Sequence, residues 1–273
     1  MRINLRRALI FISSLVIFLY LLVFVLDIVY PEYLGVHNLS TLLSFRYGNG
    51  IAPHSPSLSS GWELYLGTTY DSIMLLPALL GSLKFDFTVM LASLLISSVA
   101  GIAIGFTAAK IGGGYRKAII YITKIFSSAP YILVMLLVLY VARPMEIGII
   151  IAISTGWSPF YILRSIKFFD DNTGNRQQYS YKKILAGFAP YFITDLGAIT
   201  GVVTIITYFG FYFHNPFIVD IGNIMYLNGN ISTFIQSGVW WVIIFPLAFI
   251  TVFIGFAALL SYELNGGTDD ATI

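Results

Sequence analysis

FDFTVMLASLLISSVAGIAIGFTAA, residues 85–109, decides the fold class, because its twenty-five residues hold one ionisable group, Asp86, and that lies at the very start. A helix rises 1.5 Å per residue, so about 20 predominantly apolar residues cross roughly 30 Å of hydrocarbon. This stretch is long enough to span a bilayer. Five more runs of the same kind lie at residues 8–30, 118–141, 147–163, 191–213 and 239–262. The composition of the whole chain agrees. Of 273 residues 58% are hydrophobic and only 10% are Asp, Glu, Lys or Arg, against about a quarter charged in a soluble domain. That balance excludes a disordered chain, a secreted disulfide scaffold and an ordinary soluble enzyme. The expected fold is an all-α polytopic membrane protein of six transmembrane helices.

The first run follows Arg2, Arg6 and Arg7 but is longer than a signal-peptide core and lacks a clear small-residue cleavage site, so it reads as a retained span. With the N-terminus inside, the cytoplasmic side holds Arg2, Arg6, Arg7, Lys110, Arg116, Lys117, Lys124, Arg164, Lys167, Arg176, Lys182 and Lys183. The outside holds Arg46, Lys84 and Arg143. Twelve basic residues against three is a strong positive-inside bias, and it places both termini in the cytoplasm of a multi-pass cell-membrane protein.

The spans divide the chain into residues 1–30, a cytoplasmic N-terminus and first helix; 31–84, an irregular extracellular cap rich in Ser, Gly, Pro and Tyr; 85–263, a five-helix core; and 264–273, a cytoplasmic tail. Within the core, residues 164–190 form a long basic cytoplasmic segment. It reads either as a docking surface or as an ordinary basic inner loop.

Catalytic chemistry is missing. The chain has no cysteine, and His37, His54 and His214 are too scattered for a metal centre. Gly112-Gly113-Gly114-Tyr115-Arg116-Lys117 lacks the spacing of a phosphate-binding loop and reads as a tight turn. No hydrolase or metalloprotease motif occurs. The chain is therefore expected not to be an enzyme and to hold no cofactor or metal of its own.

Ionisable groups inside a span cost roughly 2.5 to 3.5 kcal/mol each at the centre, so they are informative where they occur. Asp27 and Asp86 lie near outer ends, and Lys124 is close enough to the inner interface to snorkel. Asp195 is the sharpest candidate. It serves either a structural contact, with Lys124 or another partner, or the transport pathway. Gly101 and Gly105 make a G-x-x-x-G pair suited to close helix contact, while Pro130, Pro159 and Pro246 each remove a backbone donor and bend a helix.

Several stretches together resemble an ABC-importer permease of the dipeptide/oligopeptide/nickel class, in its C-type membrane subunit. Leu66-Gly67-Thr68-Thr69 ahead of the second span is similar to that family's L-G-T-D motif. Gly105 to Gly113 resembles its glycine-rich cytoplasmic turn, and Gly156-Trp157-Ser158-Pro159 the approach to its coupling loop. Phe209-Gly210 and Ile221-Gly222-Asn223-Ile224-Met225 are similar to F-L-G and W-G-N-M-L, and Trp240-Trp241 to Phe245-Pro246 to the start of its last span. The coupling signature itself is degenerate. With its final proline at Pro190, Asp171 stands at the Glu position and Gln177 at the Gly position, and Gly187-Phe188-Ala189-Pro190 replaces I-x-L-P.

The resemblance implies an N-terminal span plus a five-span importer core that forms half of an alternating-access pathway for peptides or related small solutes such as oligosaccharides. It implies four partners: a paralogous permease, two ATPases that bind ATP and Mg, and an extracellular substrate-binding protein. The ATPases would dock on residues 164–190, with Asp171, Gln177, Lys182, Lys183 and Pro190 as the coupling residues. Trp62, Tyr65 and Tyr70 either contact solute or the binding protein, or anchor the chain at the interface. Two readings compete with this one: a secondary carrier that needs no ATPase, and a non-transporting membrane scaffold.

Overall fold

The computed structural model describes residues 2–30, 53–59, 61–69, 72–142, 146–173, 181–209, 219–228 and 238–265, with the backbone alone at 2–5, 171–173 and 181. Eight α-helices are formed among them: α1 (Arg2–Val29), α2 (Leu75–Ile111), α3 (Gly113–Ser128), α4 (Tyr131–Ala142), α5 (Glu146–Thr173), α6 (Tyr181–Tyr208), α7 (Ile221–Asn228) and α8 (Trp241–Leu264). A short 3-10 turn covers Trp62–Leu64, and the described residues contain no strand beyond one antiparallel bridge between Thr68 and Met74. Five helices are long and apolar enough to cross a membrane, namely α1, α2, α5, α6 and α8. They expose many large apolar side chains, such as Phe11 and Phe18 on α1 or Leu95 and Val99 on α2. A chain that leaves such surfaces outward on several long helices is a multi-pass membrane protein.

The expected third span, residues 118–141, is not one straight helix. It is the pair α3 and α4, bent by 91°. Ala129, between them, is extended at φ −77 and ψ 141. Pro130 is the reason, since its ring disfavours helical backbone at the preceding residue and it has no N–H to continue the ladder.

Other boundaries move outward. α2 begins at Leu75, so the last ten residues of the expected irregular cap are helical. Leu75, Ala78, Leu79, Ser82 and Leu83 are all buried at helical spacing, and Pro77 falls in the first turn, where its missing N–H costs nothing. At 37 residues α2 is about 55 Å long, well beyond hydrocarbon thickness. α5 likewise runs on to Thr173 and α6 starts at Tyr181, so most of the expected loop at 164–190 is helix. Only 174–180 of it lies outside the described residues.

The described contacts fall into two compact units, residues 1–88 with 196–273, and residues 89–195. In the first, α1 lies antiparallel to α8. Arg6 reaches Glu263, its Nη2 donating to the carbonyl at 2.6 Å and its Nε 3.4 Å from the carboxylate, while fourteen residues on Tyr20 donates to the Phe249 carbonyl at 2.6 Å. Tyr20, Phe24, Phe87, Phe249 and Phe253 stack between them, with centroids 4.8 to 6.4 Å apart. A second apolar cluster joins Leu75 and Leu79 to Val219, Ile221, Ile224, Trp241 and Val242.

Two fragments from distant parts of the sequence meet beside that cluster. The Trp241 indole donates to the Thr68 carbonyl at 3.0 Å, and Gly67, at φ +76, has no room for a side chain between the His54 carbonyl and that indole. Thr68 Oγ1 accepts the His54 N–H, and Leu75 N–H returns to the Gly67 carbonyl. The Leu66-Gly67-Thr68-Thr69 stretch is thus a knotted turn that launches α2.

In the second unit α2 and α5 touch backbone to backbone. A Cβ at Gly101 would overlap that of Tyr161, and one at Gly105 that of Ser165. The Ser93 and Ser154 hydroxyls donate across the same seam, to the Ile150 carbonyl at 3.5 Å and the Ser93 carbonyl at 3.4 Å. The G-x-x-x-G pair is used as the sequence suggests. Gly112 and Gly113, both at positive φ, make the turn from α2 into α3, as expected of that glycine run.

Candidate functional site

Helices α5 and α6 form an antiparallel hairpin whose two arms are tied rung by rung. Tyr161 packs on Phe192 at 5.8 Å and Phe168 on Phe188 at 5.4 Å, and a Cβ at Gly187 would overlap the Phe168 ring. The registers agree: moving seven residues along α5 moves four to five back along α6. In the middle stands Asp195. Its Oδ2 accepts the Tyr161 hydroxyl at 2.6 Å and the Arg164 Nη1 at 3.1 Å. Tyr161 is wholly buried and Asp195 is 4% exposed. The Arg164 guanidinium completes the cluster by lying 4.4 Å from the centroid of the Tyr191 ring.

Chemically this is a finished arrangement. The carboxylate is met by a cation and a hydroxyl, both charge-assisted contacts, and the Arg164 side chain stays about a third exposed. Beyond Arg164 nine more residues of α5 follow, about 14 Å of helix, and α6 supplies the matching arm. A second tie braces the same region, since Arg116 on α3 pairs with Asp170 near the end of α5.

The residues expected from sequence distribute unevenly over this hairpin. Asp195 is at its centre, and its partners are Tyr161 and Arg164 rather than Lys124. Lys182 and Lys183 are exposed on the first turn of α6, and Pro190 is buried inside that helix. Asp171 belongs to the last turn of α5, its side chain outside the described residues, as is all of Gln177. Trp62 and Tyr65 sit on the 3-10 turn and its end, 42% and 43% exposed, and belong to the first unit. Tyr70 lies outside the described residues. Arg164 carried a signal in the sequence, as the basic residue bounding the fourth apolar run, but its separation of 31 residues from Asp195 hid the pairing.

A second group of acids was only partly visible in the sequence, which placed Asp86 near the outer end of a span and did not single out Asp220. Asp220 directly precedes α7 and is wholly buried, as is Asp86 on α2 in the same unit. Burial pushes the Asp220 carboxyl up, to about 6, against the opposing pull of the Thr207 hydroxyl and the N–H groups of Asn223 and Gly222. No protein-family model matches this sequence, and no curated protein matches it significantly.

Proposed function

We propose that this chain is a transport permease subunit of an ATP-driven importer, one half of an alternating-access pathway for peptides or related small solutes, whose ATP and Mg are bound by partner ATPases. The observation that carries the reading is the braced α5–α6 hairpin. A soluble motor can move membrane helices only through an element that does not bend where it is pushed. The Tyr161–Asp195–Arg164 cluster, the Phe168–Gly187 contact and the Arg116–Asp170 pair stiffen such an element, and Lys182 and Lys183 expose cationic groups near its tip. The hairpin includes the described parts of the segment that resembles an ATPase coupling loop. Rigid levers transmit force through discrete packed arrangements rather than by continuous deformation.

In this reading both termini and the hairpin tip face the cytoplasm, and the chain works in the cell membrane beside a second, related permease and an extracellular binding protein. The Trp62 and Tyr65 turn is its docking or anchoring surface on the outer side. Gentle purification from native membrane followed by mass spectrometry tests the assembly. The expected result is retention of a second permease and of ATPases, with Lys182→Glu and Lys183→Glu lowering ATPase recovery and solute uptake. A reproducibly solitary chain, or charge-reversed variants that assemble and transport normally, would overturn it.

A further inference from the structure

Besides Asp27 on α1, the first unit wholly buries two carboxylates whose environment is unlike that of Asp195. Asp86 projects from α2 and Asp220 from the residue ahead of α7, and both are 0% exposed. They converge on one helix end: Asp220 Oδ1 accepts the Asn223 N–H at 2.7 Å, and Asp86 Oδ2 accepts the Ile221 N–H at 3.2 Å. Capping of the positive end of α7 accounts for these two oxygens. It leaves the other two unexplained. Asp86 Oδ1 and Asp220 Oδ2 are buried and receive no hydrogen bond among the described residues.

Nothing described neutralises them. The ion pairs among the described residues are Arg6–Glu263, Arg116–Asp170 and Arg164–Asp195, and none involves either acid. Lys84 lies two residues, about 200°, round α2 from Asp86. Val219, Ile221 and Ile224 belong to the adjoining apolar cluster. Burying even one carboxylate without a countercharge is expensive, and two acting on each other make it worse.

The surroundings supply further oxygen. A side chain at Gly222 would overlap the Thr207 hydroxyl and the Thr204 carbonyl, so the glycine lets the first turn of α7 close directly onto these two groups of α6. Thr207 is buried, and its one hydroxyl proton is shared among the Val203 and Thr204 carbonyls, at 3.1 and 3.2 Å, and the Asp220 carboxyl, so whichever takes it the hydroxyl oxygen keeps a lone pair for a cation beside Asp220. We propose that Asp86 Oδ1 and Asp220 Oδ2 bind a hard metal cation, of the sodium or calcium class, with the Thr207 hydroxyl and Thr204 carbonyl oxygens adding to its shell. Hard cations select such all-oxygen sets, and the charge of the ion supplies the neutralisation the acids lack. The site is independent of whether ATPases power the chain, so it stands or falls apart from the importer reading.

The test is thermal unfolding of the full chain in detergent at neutral pH, titrated with sodium or calcium chloride against choline chloride at constant ionic strength. A saturable rise in midpoint with sodium or with calcium, lost in Asp86→Asn and Asp220→Asn, is expected, and whichever salt gives it names the ion. Thr207→Val should raise the half-saturating concentration about tenfold, as loss of a supporting ligand does. Should the Asn variants fail to fold, equilibrium binding of radiolabelled sodium or calcium to the wild-type chain decides, with one ion per chain expected. Absence of cation-specific binding or stabilisation in the wild type would overturn the proposal, as would full retention of the effect in folded Asn variants.

Discussion

Tyr161 and Arg164 donate to the same oxygen of Asp195, so removing the carboxylate strands a hydroxyl and a cation together. Breaking a buried ion pair costs 3 to 5 kcal/mol, but the Arg164 side chain is 32% exposed and water recovers part of it. Asp195→Ala should therefore destabilise the chain by about 2 kcal/mol, and Tyr161→Phe by about 1.5 kcal/mol, the worth of one hydrogen bond to a charged group. Unfolding in detergent measures both, and an unchanged midpoint for Asp195→Ala would show that the cluster does not brace the hairpin. Asp220 makes a different prediction, about pH. Its carboxyl rises from 3.8 to about 6 on folding, so the folded chain holds this proton more tightly than the unfolded one. The stability it contributes is whole below about 4 and drains away as pH climbs through about 6. In choline-only buffer the midpoint should fall over that window, and Asp220→Asn should flatten the fall. These acids also mark the limit of what one residue reveals in sequence. Asp195 was visible because an acid inside an apolar run is conspicuous by its cost. Asp220 was not, because an acid between helices is ordinarily solvated, and only the packing of α7 against α2 and α6 removes it from water.

At the scale of elements, the long apolar runs fixed the existence of the spanning helices, but hydropathy sees only residues at hydrocarbon depth. The ends of α2, α5 and α6 carry mixed sequences such as LLPALLGSLK at 75–84, whose burial is one-sided, so they were read as cap or loop although they continue the same helices. The elbow at Ala129–Pro130 was half legible: proline announces a bend, while its 91° angle follows from how α4 settles on α5. Gly101 and Gly105 were the reverse case, a common motif whose meaning depended on a partner face. That face is now identified as Tyr161, Ser158, Ile162 and Ser165 of α5. Gly101→Val and Gly105→Val each force the helices apart and should cost 1 to 3 kcal/mol, roughly the price of overpacking a close seam. Gly255→Ala on α8 meets nothing within 4 Å and should leave the midpoint unchanged. Comparing the three by folded yield and thermal midpoint separates a seam from a general intolerance of larger residues.

For the whole molecule the decisive question is whether the bent pair α3 and α4 crosses the bilayer or returns to the side it left. If it crosses, the basic residues divide twelve inside against three outside. If it returns, every later helix is inverted and the division becomes eight against seven, with Arg164, Lys167, Arg176, Lys182 and Lys183 moved outside. The positive-inside rule favours the first arrangement, and the proposed function requires it, with Arg164, Lys182 and Lys183 on the same side as the α2–α3 turn. The chain contains no cysteine, so single substitutions give unambiguous labels. Lys117→Cys lies beyond α2 and Lys182→Cys opens α6, and the two positions fall on the same side only if α3 and α4 together span the membrane. A membrane-impermeant maleimide applied to intact cells should label neither, and both should react after permeabilisation. Labelling of Lys182→Cys alone in intact cells would make the elbow a re-entrant structure, turn the hairpin tip outward, and remove the cytoplasmic lever on which coupling to an ATPase depends.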